Sequence, residues 1–69
     1  MTIYTYPFPD SAMLTSCSYD DMECELSVIF KTGRTYTYVD VPKSTYDDLI
    51  NAPSAGRHFN SIKRELKEK

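Results

Sequence analysis

A chain of 69 residues with 8 basic and 10 acidic side chains, net charge −2, has room for one domain and a modest core. Two cysteines exclude a disulfide scaffold, and a single histidine excludes a zinc cluster of the His/Cys type, so self-association is the expected extra support. A protein living on a polynucleotide backbone carries a basic excess, so any basic patch here must be local.

In chain order, residues 1–10 alternate Ile3 and Thr5 with Tyr4 and Tyr6 before Pro7 and Pro9. That pattern predicts an extended N-terminal arm, able to pair at a sheet edge and docked on its own domain or on a neighbouring subunit. It has neither the basic n-region nor the apolar h-region of a signal peptide, and nothing in the chain reaches the length of a membrane span. With free cysteines, the expected compartment is the cytoplasm.

Residues 11–69 read as a single domain. Met13–Tyr19 predicts a first strand of imperfect alternation, turning at Asp20-Asp21. Residues 24–31 alternate cleanly, with Cys24, Leu26, Val28 and Phe30 on one face. Lys31-Thr32-Gly33-Arg34 is a hairpin turn, and Thr35–Val39 a third strand rich in β-branched and aromatic residues. Tyr36 and Tyr38 share a face by the period of two, either completing the core or forming an aromatic platform. Val41-Pro42 opens a helix with Tyr46, Leu49 and Ile50 as its apolar stripe and Asp47-Asp48 in its early turns. Asn51-Ala52-Pro53 ends it. A second helix is predicted from about Ala55 to Leu66, with Phe59, Ile62 and Leu66 on its apolar face and 67–69 frayed. The expected fold is α+β: a three-stranded antiparallel meander followed by two helices.

The second helix carries the candidate site. Ser54 suits its N-cap, and the first turn presents the N–H groups of Ala55, Gly56 and Arg57 at the positive end of the helix dipole. Gly56 leaves room for an approaching anion, or alternatively lets the helix pack tightly on its neighbour. Arg57 and Arg64 share a face at i, i+7, as do Asn60 and Arg64 at i, i+4, with Lys63 adding charge. The competing reading is a solvated polar face paired with Asp47, Asp48 and Glu65. His58 sits beside no motif-placed nucleophile, so a catalytic base is not expected. Cys17 and Cys24 are expected on neighbouring strands as small apolar fillers. Asp20, Asp21, Glu23 and Glu25 match no calcium loop, so neither a metal nor a cofactor is expected.

From Ser11 to Arg64 the chain resembles the KTSC domain family, named after a module at the C-terminus of some lysyl-tRNA synthetases. The likeness rests on Tyr19-Asp20, Leu26-Ser27-Val28-Ile29-Phe30, Tyr36-Thr37-Tyr38 and Val41-Pro42 with Tyr46. Its longest stretch is Ala52-Pro53-Ser54-Ala55-Gly56-Arg57-His58-Phe59-Asn60-Ser61-Ile62-Lys63-Arg64. His58 stands where the family has an aromatic residue, Lys63 where it has Arg, and residues 1–10 precede the family core. The resemblance implies nucleic-acid binding and a small stand-alone protein of bacteria or their phages, acting in the bacterial cytoplasm.

A site of this kind takes a phosphate-bearing nucleotide more readily than a polynucleotide, because it needs only one or two phosphate clamps and an aromatic face. The expected function is therefore a non-enzymatic, homo-oligomeric nucleotide binder. In its specific form it is a phage-type sponge sequestering a cyclic oligonucleotide immune signal at a subunit interface. Ser54, Gly56 and Arg57 would position phosphate, Lys63 or Arg64 add charge, Asn60 read a base edge, and Tyr36, Tyr38 or His58 contact the base. The alternatives are an RNA- or tRNA-binding accessory module and a protein–protein adaptor working through the N-terminal arm.

Overall fold

The computed structural model describes residues 2–69. The clean alternation of the third segment gives strand β3 (Glu25–Phe30), with Leu26 and Val28 fully buried. It is joined to β4 (Thr35–Val39) by a tight turn in which Gly33 takes φ +94°. Phe30 N–H donates to the Arg34 carbonyl at 2.8 Å and Gly33 N–H to the Phe30 carbonyl at 2.9 Å. Strand β2 (Leu14–Asp20) buries Leu14, Cys17 and Tyr19. The register shifts between Leu14 and Ser16. This bulge is the physical cause of the imperfect alternation, since one extra residue moves the inward positions from 14 to 17 instead of 16.

Two further strands correct the expected three-stranded meander to a five-stranded antiparallel sheet, ordered β1-β2-β3-β4-β5. Strand β1 (Ile3–Pro7) is the N-terminal arm, paired along its length with β2 so that Tyr4 lies opposite Tyr19. The other is β5 (Lys67–Glu68), paired with β4, its ladder extended by Lys69 N–H donating to the Thr37 carbonyl at 2.8 Å. The expected fraying at 67–69 is therefore also corrected. Helix α2 (Ala55–Ile62) stops four residues short of Leu66. A 3-10 turn at Lys63–Glu65 follows, and Leu66, extended at ψ 143°, packs against the core from there.

Helix α1 (Lys43–Asn51) buries Tyr46 and Leu49 and half-buries Ile50, as its spacing predicts. Pro42 is its N-cap instead of its first helical residue, and its first turn holds no acid. Asp47 sits one turn on, accepting from Lys43 Nζ at 3.1 Å, so it is not a partner for the α2 cations. Both helices cover one face of the sheet. The other face is lined by hydroxyls, with Ser27 Oγ and Thr37 Oγ1 3.0 Å apart and Thr5 Oγ1 and Ser18 Oγ 3.4 Å apart. Among the described residues no helix is long and apolar enough to cross a membrane.

The core joins sheet to helices through rings. Tyr19 stacks on Tyr46 with centroids 5.6 Å apart, and its hydroxyl donates to the buried Val41 carbonyl at 2.7 Å. Cys17 lies opposite Val28 within the sheet, whereas Cys24 is exposed in the β2–β3 turn at φ +54°. The two thiols thus do not face each other, and only Cys17 is an apolar filler. Burial raises the Cys17 thiol from 9.0 to about 12. Burial first, then Cys24 and nearby acids, raises the Tyr19 hydroxyl from 10.0 to about 12. Raised folded-state values favour the protonated forms, so this stabilisation is complete below the unfolded values and is lost as pH climbs through the folded ones. Urea midpoints are therefore expected to hold steady up to pH 9 and to fall between pH 9 and about 12. A midpoint unchanged across that window would contradict the burial of both groups.

Tyr19→Phe isolates one of these contacts. It leaves the Val41 carbonyl without its donor, a loss of about 1–3 kcal/mol in unfolding free energy by urea titration.

Candidate functional site

Two clefts open where the β1–β2 connection and the β3–β4 hairpin come together, tied by Lys31 N–H donating to the Met13 carbonyl at 2.9 Å. The first, of about 610 Å³, lies between residues 6–13 and the α1–α2 corner. Ser54, Gly56, Arg57 and Asn60 line it, so the structure brings together four of the sequence-predicted site residues. Ser54 occupies the N-cap of α2, but its side chain makes no capping bond.

Gly56 is buried, and its open side is already filled. A Cβ there would meet Met13 Cε at 3.3 Å and Met13 Cβ at 3.4 Å. Its missing side chain serves the close approach of α2 to the β1–β2 connection, which is the tight-packing alternative. Asp10 also lines this cleft, whose lining thus carries one acid and one cation, Arg57.

The second cleft, of about 650 Å³, lies between the β3–β4 hairpin and α2. It is lined by Phe30, Thr32, Arg34, Tyr36, Tyr38, Phe59 and Lys63. The even-numbered residues of β4 face the helices, so Arg34, Tyr36 and Tyr38 fall on one side, and Arg34 Nη1 lies 3.5 Å from Tyr36 Oη. Phe59 and Lys63 are one turn apart, which points the cation to the same side as the ring. The floor is a continuous aromatic cluster. Phe30 meets Tyr36 edge-on at 5.4 Å and Phe59 edge-on at 5.6 Å, and Phe59 meets Tyr38 at 5.8 Å.

Tyr38 is 6% exposed and belongs to the core, its hydroxyl held protonated by burial and then by Glu68 and Tyr36. The aromatic-platform alternative therefore holds only for the half-buried rings of Phe30 and Tyr36.

The sequence-predicted site is thus divided: Ser54, Gly56, Arg57 and Asn60 line one cleft, and Tyr36, Tyr38 and Lys63 the other. His58 is half-buried and lines neither, its carbonyl accepting from Ser61 Oγ at 2.6 Å. Arg64 is exposed in the 3-10 turn and lines neither; because α2 ends at Ile62, it does not continue a helical face with Arg57 and Asn60.

Sequence reasoning missed Arg34, Phe30, Thr32 and Phe59 as lining residues. The signal for Arg34 was present, since it stands two residues before Tyr36 on the same side of the strand.

The second cleft has two cations and no acid in its lining. Neither Arg34 nor Lys63 is in a salt bridge among the described residues, where the ion pairs are Lys43–Asp47 and Lys69–Glu25. Asp20, Asp21, Glu23, Glu25 and Asp40 all fall at the opposite end of the sheet, around the β2–β3 turn and the end of β4. A net charge of −2 therefore conceals a local cationic end.

These features define a class: a small α+β domain with a helical hairpin on one face of an antiparallel sheet and a cation-rimmed aromatic cleft beside the second helix. The chain belongs to the KTSC domain family, whose profile matches residues 10–65. It is 40% identical over 54 residues to a lysine–tRNA ligase of Nostoc punctiforme, a match covering 78% of this chain and 10% of the ligase. It is also 40% identical over 53 residues to a protein of Tsukamurella paurometabola, covering 77% of this chain and 79% of that one. The crystal structure of a KTSC domain protein from Yersinia pestis superposes with a TM-score of 0.87 at 28% identity, covering 99% of this chain and 96% of that chain.

Proposed function

We propose that this protein binds a phosphate-bearing nucleotide without turning it over, in the cleft between the β3–β4 hairpin and α2. The observation that carries the reading is the pairing of exposed aromatic area at Phe30 and Tyr36 with two acid-free cations, Arg34 and Lys63, around one opening. A base lies against the rings, where stacking contributes about 1–3 kcal/mol. A phosphate lies between the guanidinium and the ammonium, whose hydrogen bonds to an anion are among the stronger ones in water.

The first cleft fits this ligand less well, because its lining holds an acid, Asp10, as well as Arg57, and Met13 covers Gly56. Binding without turnover fits the groups present. The buried Cys17 thiol stays protonated through physiological pH, and His58 faces neither opening. The finer form of the reading is sequestration of a small cyclic oligonucleotide, which requires slow release instead of chemistry.

A second reading, RNA binding, is favoured by the cations outside the cleft at the same end, Lys31, Arg57 and Arg64, and by kinship to part of a lysine–tRNA ligase. Calorimetry against cyclic dinucleotides, mononucleotides and a short single-stranded RNA at several salt concentrations tests both. A saturable site for a small nucleotide whose affinity changes little with salt supports the first reading. Affinity confined to RNA and falling steeply with salt supports the second. Heat from neither ligand would overturn both.

A further inference from the structure

We propose that β1 is a homodimerisation edge, pairing antiparallel with β1 of a second copy about a two-fold axis at Thr5. Strand β1 forms one outer edge of the sheet. Asp21 N–H donates to the Thr2 carbonyl at 3.2 Å and Phe8 N–H to the Thr15 carbonyl at 2.9 Å. These two bonds fix the parity of the ladder: even-numbered residues of β1 turn their backbone groups toward β2, and Ile3, Thr5 and Pro7 turn theirs outward. Among the described residues no other strand pairs with that side.

The two edges of the sheet differ in how they are guarded. Strand β5 is two residues long and charged, the usual protection against strand addition. Strand β1 is five residues long, and residues 2–9 carry no charge at all. Its side chains are also open, with Ile3 58% and Tyr6 41% exposed.

The occupant that fits this edge is the edge itself. With Thr5 opposite the partner's Thr5, each Thr5 N–H donates to the other's carbonyl, and each Ile3 N–H donates to the carbonyl of the partner's Pro7. Only Pro7, which has no N–H, leaves its half of a pair unmade. In the same register Ile3 packs beside the partner's Pro7 on the hydroxyl-lined face, and Tyr4 beside the partner's Tyr6 on the helix face. The arrangement is isologous and closes on itself. It also places the cleft at the β3–β4 hairpin of each subunit away from the interface, so the two nucleotide sites stay separate.

Sedimentation velocity from about 5 to about 500 μM tests the pairing, with mass action shifting monomer toward dimer as concentration rises. The Thr5 N–H points away from β2, so Thr5→Pro removes the central intersubunit bonds without breaking the intramolecular ladder. We expect that variant to dissociate at least tenfold more readily, with an unchanged melting temperature at concentrations where the parent is monomeric. Should proline itself unfold β1, Thr5→Cys in a Cys24→Ser background decides the matter. Opposed residues of a hydrogen-bonded pair have Cα atoms about 5.5 Å apart, so a short bis-maleimide can bridge the two thiols and should give a cross-linked dimer that keeps the parent circular dichroism. A chain that stays monomeric over the whole range, a dimer indifferent to Thr5→Pro in a folded variant, or failure of the Thr5→Cys variant to cross-link would each overturn the proposal.

Discussion

Phe59→Ala is expected to lower the stability of the domain by about 3–5 kcal/mol, a large share of its total. Phe59 is 1% exposed and touches rings from two strands, Phe30 on β3 at 5.6 Å and Tyr38 on β4 at 5.8 Å. It is the largest side chain that α2 sends into the core, so its removal detaches helix from sheet as well as leaving a void. Truncating a buried Phe costs about 3–5 kcal/mol. A chain of this size has a total stability of about 3–10 kcal/mol, at roughly 0.05–0.15 kcal/mol per residue. The loss therefore equals the whole margin at the low end of that range and about half of it at the high end. Circular dichroism and a thermal melt measure it; a cooperative melt within about 1 kcal/mol of the parent would contradict the central place given to this ring.

The second large effect falls on binding. Arg34→Ala and Lys63→Ala are each expected to weaken nucleotide affinity at least tenfold, about 1.4 kcal/mol. The double variant is expected to lose more than either single one, and a loss short of about a hundredfold reports the coupling of two cations that share one phosphate group. Both side chains are exposed and outside the salt bridges of the described residues, so unfolding free energies should stay within about 0.5 kcal/mol of the parent. Arg57→Ala is the control. It lines the other cleft and should leave affinity nearly unchanged. Equal losses from Arg57→Ala and Arg34→Ala would place the ligand at the opening of α2 instead.

Much of the fold was legible because its signals are local. The period of two in Leu26, Val28 and Phe30, the glycine of the hairpin, and the stripe of Tyr46, Leu49 and Ile50 each arise within a few residues of chain. The sheet's full width was less so. Strand β5 is Lys67-Glu68, two charged residues whose pairing is dictated by where the 3-10 turn delivers them and not by any apolar pattern of their own. Leu66 fits helical spacing after Phe59 and Ile62, yet it reaches the core equally well from an extended chain, so periodicity could not mark the end of α2.

The site was legible by residue type more than by place. Tyr36, Lys63 and Arg57 were each singled out, but which of them share an opening depends on how α2 lies across the sheet. That placement rests on Gly56 meeting Met13, a contact between residues 43 positions apart that no sequence window contains. The same contact explains why the glycine reads two ways in sequence: a bare Cα suits an anion and a neighbouring side chain equally.

An amide shift map during titration with a small nucleotide tests the central claim most directly. The cleft at the β3–β4 hairpin predicts that resonances of residues 30–38 and 59–63 move together and saturate, while those of 55–57 stay near their starting positions. Saturable movement at 55–57 with none at 30–38 would contradict it.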